Sequence, residues 1–77
     1  MSIAKDAKEY YEAELRASLE AEHRDRFVAI EPASKTYFIA DTFIDAALAA
    51  KQAHPERTSF VIRIGHAAAL HLGASAT

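Results

Sequence analysis

Between Arg26 and His66 the chain reads RFVAIEP, TYFIADTFIDAALAAKQAHP and RTSFVIRIGH, and this order constrains the fold more than any other feature. Phe27, Val28 and Ile30 are strand formers, and Pro32, which cannot donate to a ladder, ends that first strand. Residues 31–35 make a short hairpin connection, and Thr36, Tyr37, Phe38 and Ile39 form a second strand. Four strand formers in a row mean that both faces of the strand are partly covered.

A helix then opens at Asp41 or Thr42, where Thr42 and Asp45 resemble a capping box. It stops near His54, because the residue before Pro55 resists the helical region. Ile44, Ala47, Leu48 and the stem of Lys51 are expected to face the sheet, with Phe43 beside them. Ala46, Ala49, Ala50 and Ala53 favour helix and permit close approach of another backbone. In the third strand Phe60, Ile62 and Ile64 point one way and Ser59, Val61 and Arg63 the other. A strand–helix–strand crossover is right-handed and sets its two strands parallel. The simplest sheet therefore has order 2-1-3, the first strand central and antiparallel to both neighbours.

Ahead of this core, residues 2–25 read as a helix capped by Ser2, with opposite charges one turn apart at Lys5/Glu9, Lys8/Glu12, Glu12/Arg16 and Glu20/Arg24. Its apolar stripe is narrow: Ala4, Ala7, Tyr11 and Leu15, flanked by Ile3 and Leu19. Such a helix can lie on its own sheet or dock as an arm on a second chain. Past Gly65, residues 66–73 suit helix or extended edge equally, and 74–77 read as a disordered tail. The expectation is an α+β fold: a helical arm (1–25), a β-β-α-β core (26–73) and the tail (74–77).

The pieces FVAIEP, YFIADTFIDAALAAKQAHPER and FVIRIGH together resemble a family of short, uncharacterised bacterial proteins. That family's pattern is a VAI-type strand, a helix opening on DT, a proline-containing break and a strand ending in RIGH. The likeness spans residues 26–73, leaves the first helix outside and implies no activity or catalytic residue. The strand–helix–strand order is also similar to small antitoxin-type modules, a likeness of fold alone.

With 77 residues and no cysteine, the chain has a thin core and neither a disulfide nor a thiolate zinc site to reinforce it. Extra burial is expected from self-association or a protein partner. The lack of cysteine suits a reducing cytoplasm. The acids of the N-terminal segment do not suit a signal peptide, and no apolar run approaches a membrane span. A net charge of −2 and acids interleaved with Lys5, Lys8, Arg16 and Arg24 argue against nucleic acid.

No catalytic constellation emerges. His66 and His71 are five residues apart, which suits neither a helix face nor a strand face, and His23 and His54 sit at helix ends, so no metal or cofactor is expected. Ser59, His66 and Asp41 can be drawn as a triad, but nothing places Ser59 on a strained turn. Asp41 and Asp45 are explained by capping, and no glycine-rich phosphate loop exists. Interface candidates are Tyr10, Tyr37, Arg63 and His66. Arg63 would pair with Glu12 or Glu14 if the first helix covers its face, and charge reversal there would weaken self-association. The expectation is a small non-enzymatic interaction module, a homo-oligomer in the cytoplasm. The alternatives are a partner-obligate regulator of antitoxin or adaptor type, and a small ligand-binding or enzymatic unit using His66, Arg63 and Tyr37 at a dimer cleft.

Overall fold

A computed structural model describes residues 3–66, so the expectations for Ser2 and for residues 67–77 lie outside the described residues. Helix α1 (Ile3–Tyr10) runs through a wide π-type stretch (Tyr11–Leu15) into α2 (Arg16–Glu22). Strands β1 (Phe27–Glu31) and β2 (Thr36–Ala40), helix α3 (Phe43–Ala53) and strand β3 (Phe60–Arg63) follow. The sheet has order β2-β1-β3, with β1 antiparallel to both neighbours, as the sequence predicts. Val28 lies opposite Ile39 on one side and Ile62 on the other, and Phe27 lies opposite Ala40 and Arg63.

Alternation along the strands makes two apolar faces, and each receives a helix. Val28, Ile30, Phe60, Ile62 and Ile64 meet Ala7, Tyr11, Leu15 and Leu19 of the N-terminal helical segment. Ala29 and Val61 meet Ala46 and Ala50 of α3, with Phe27, Phe38 and Phe43 around them. The first helix thus packs in cis, closing the sheet face that the sequence leaves open between its own helix and a second copy.

The π-type stretch explains how a narrow stripe fills that face. Ala7, Tyr11, Leu15 and Leu19 repeat strictly every fourth residue, which in a regular α-helix drifts about 40° per step. Wider i→i+5 turns hold more residues each and counter the drift. All four side chains are consequently buried, Leu19 included, although its sequence position suggested a flank. Burial pushes the Tyr11 phenol above its ordinary value, against the opposing pull of the Gly65 backbone. Its hydroxyl has no hydrogen-bond partner among the described residues.

Helix α3 is turned away from the expected face: Phe43 and Ala47 pack toward the sheet as expected, but Ile44 and Leu48 do not. Its buried stripe is Ala46 and Ala50, with Phe43 and Ala47 at its margin, whereas Ile44 and Leu48 are 61% and 52% exposed. The sheet supplies the bulk on this side through Phe27, Phe38 and Val61, so small residues on the helix let its backbone settle onto them. Phe43 meets the Phe27 ring edge-on at 6.4 Å. Thr42 does cap the helix, its Oγ1 accepting from the Asp45 amide at 3.0 Å.

Candidate functional site

One densely bonded polar cluster sits where the β1–β2 turn meets the end of α3. Glu31, the last residue of β1, shares the α3 face with Phe27 and Ala29 and is only 1% exposed. Its Oε2 accepts from the Ala33 amide at 3.0 Å, and its Oε1 accepts from the Ser34 amide at 2.9 Å and from the Ser34 hydroxyl. The Arg57 guanidinium approaches Oε1 at 3.5 Å. Burial alone would push this carboxyl up. The Ser34 hydroxyl, the two amides and Arg57 outweigh it and hold the group below its ordinary value.

The cluster extends outward as a chain of hydroxyls. Ser34 Oγ lies 2.9 Å from Thr36 Oγ1, which lies 3.0 Å from His54 Nε2. Proton counting gives the chain a direction. Ionised Glu31 only accepts, so Ser34 spends its one proton on Glu31. Thr36 must then donate to Ser34, and His54 must donate through Nε2–H to Thr36. Neither hydroxyl is activated as a nucleophile, because no base in the chain faces a free hydroxyl proton. The arrangement ties the hairpin turn to the C-terminal end of α3.

From the sequence alone Glu31 reads only as a hairpin corner. Its signal was an acid at a strand end, followed by Pro32 and by Ser34 three residues on, a spacing that lets a carboxylate cap its own turn.

The four interface candidates fall into two separate places. Tyr10 and Tyr37 lie on the helical-segment side, at the hairpin end of the sheet. Tyr10 donates its hydroxyl to the Lys35 carbonyl at 3.1 Å, with the Lys35 ammonium 5.9 Å from its ring centroid. Tyr37, on edge strand β2, is 41% exposed. Arg63 and His66 lie at the other end. Arg63 projects on the α3 side, its guanidinium 5.4 Å from the Phe27 centroid, so neither Glu12 nor Glu14 is its partner; Glu12 instead holds Arg16 at 2.8 Å. His66 Nε2 lies 2.8 Å from Asp25 Oδ1. Tyr37 and Arg63 thus occupy opposite faces and opposite ends, and one chain does not gather His66, Arg63 and Tyr37 into a pocket.

Among the described residues, no three His, Asp or Glu side chains converge as a metal site, and no helix is long and apolar enough to cross a membrane. What the surface does offer is apolar: Ile44 and Leu48, one turn apart on the outside of α3. No protein-family model, no curated protein and no solved structure matches this chain.

Proposed function

We propose that this protein is a small non-enzymatic interaction module of the cytoplasm that self-associates through the outer face of α3. The observation that carries the reading is the exposure of Ile44 and Leu48 on a helix whose opposite face is already fully engaged with the sheet. Tyr37 is also exposed, but its hydroxyl can stay hydrated while its ring packs, whereas Ile and Leu have nothing to offer water. The first helix already covers its own sheet face, so an open sheet gives no ground for a partner. The exposed ridge replaces it.

Sedimentation equilibrium of the wild type and of Leu48→Glu tests this. The expected result is a concentration-dependent dimer that becomes a monomer at all concentrations on substitution, with the unfolding midpoint kept, because Leu48 is half exposed already. Arg63→Glu should leave the mass unchanged, since Arg63 lies on the Phe27 ring and not on the α3 ridge. A dimer lost on Arg63→Glu and kept on Leu48→Glu would move the interface to the far end of the sheet. A wild type that stays monomeric throughout would turn the reading toward a different protein as the partner of the ridge.

A further inference from the structure

We infer that the second copy docks with its own α3 antiparallel to the first, Ile44 of each chain packing on Leu48 of the other; the inference rests on the self-association proposed above. A twofold contact is self-complementary, so the same ridge must meet itself in one of two orientations. In a parallel pair Ile44 meets Ile44 and Leu48 meets Leu48. The acid-bearing starts of the two helices, with Asp41 and Asp45, then lie at one level, as do the two Lys51 residues of the last turns. The two helix dipoles also align, which adds to the repulsion.

The antiparallel pair removes both conflicts. Its centre falls midway between Ile44 and Leu48, at the level of Ala46. Lys51 lies in the last turn of α3 and Asp41 just ahead of the cap Thr42, so the cation-bearing end of each helix comes beside the acid-bearing end of the other. Asp41 contacts Arg26 at 3.3 Å yet stays largely exposed, leaving it able to face a second cation. The charge pattern is acidic at one end of the ridge, apolar in the middle and basic at the other end. Such a pattern is complementary to its own reverse. This complementarity favours a second copy as the occupant and fixes its direction. A contact of two helical turns is small, below about 1,200 Å² in total, so the dimer is weak and concentration-dependent.

Cysteine cross-linking reads the orientation directly, because the chain has no cysteine of its own. Ile44→Cys and Leu48→Cys are prepared separately and oxidised with glutathione disulfide, each alone and as an equimolar mixture, at a concentration where the wild type is dimeric. A disulfide needs Cα atoms roughly 4.4–6.8 Å apart, and only the antiparallel pair brings positions 44 and 48 of different chains that close. The mixture is expected to form the linked dimer several-fold faster than either variant alone, because only the mixture pairs cysteines within bridging distance. Faster self-linkage of Ile44→Cys and of Leu48→Cys would overturn the antiparallel orientation and leave the α3 interface standing. Equal, slow linkage in all three samples, together with a mass unaffected by Leu48→Glu, would overturn both. As a second variant that keeps the apolar pair, Lys51→Glu should raise the dissociation constant about 3- to 10-fold at low salt, with the difference fading near 0.5 M salt. An unchanged constant at low salt counts against the orientation.

Discussion

Glu31 shows how a single residue can be decided by its neighbours. A carboxylate this deeply buried is costly unless donors surround it, and here two amides, a hydroxyl and a guanidinium do so. Glu31→Gln should cost about 1–3 kcal/mol at neutral pH, because the new amide group brings donors to a point where donors already converge. The native carboxyl is held below its ordinary value, so the unfolded chain takes up the proton more readily. The stabilisation is therefore complete above the usual glutamate range, about pH 4.3, and drains away as pH falls through the lower native value. Urea unfolding of both proteins at pH 7 and pH 3 checks this: the gap between them should narrow in acid, and a gap that ignores pH would sink the account. The same network predicts that neutral His54 carries its proton on Nε2. Ring nitrogen chemical shifts at pH 8 would show this, and an Nδ1–H tautomer would mean that the hydroxyl chain runs the other way. Two parts of this cluster were legible in the sequence, the proline turn after β1 and the histidine at the end of α3. Their meeting was not, since Glu31 and Arg57 are 26 residues apart and only the fold brings them into contact.

At the scale of elements, every strand and both helical regions stand where the residue patterns put them, because strand formers, a capping threonine and prolines act locally. The faces were less legible. Hydrophobicity favours Ile44 and Leu48 as the buried side of α3, yet the stripe that packs is Phe43, Ala46, Ala47 and Ala50, at the same helical spacing. Which of two stripes turns inward depends on what the sheet presents, and a sheet face already carrying Phe27, Phe38 and Val61 favours small residues at the helix centre, Ala46 and Ala50, with Phe43 at the margin. The N-terminal segment holds the opposite lesson. Its stripe looks too thin for a core helix, but the π-type stretch aligns it on one face. Because the segment packs in cis, Leu15→Ala should lower stability by about 2–4 kcal/mol, the ordinary cost of a cavity in a core. Chemical unfolding measures it, and a loss under half a kilocalorie would return the helix to the role of a loose arm.

For the whole molecule, the two helices on opposite sheet faces change the reason to expect association. A three-stranded sheet with one bare face would need a partner to exist. This chain closes both faces, so on the reading proposed above a partner would join an already folded domain, through the ridge on α3. The scattering of Tyr10, Tyr37, Arg63 and His66 over two ends of the sheet follows from the same topology: strand alternation separates residues that composition alone would group as one polar set. The Arg63 guanidinium illustrates this, since mid-sequence between Ile62 and Ile64 it looks like a buried charge seeking an acid, whereas at the edge of β3 it rests on an aromatic ring.

By itself the sequence determined which segments become strand and helix, the 2-1-3 order and the antiparallel direction of the strands, because these depend on turn residues, capping and the handedness of a short crossover. Only the tertiary structure decided that the first helix closes its own sheet, that α3 turns its alanines inward, and that Glu31 is buried among two amides, a hydroxyl and a guanidinium. Each of these depends on contacts between residues far apart in the chain, where shape and hydrogen-bond geometry, and not local preference, choose among faces that the sequence leaves equivalent.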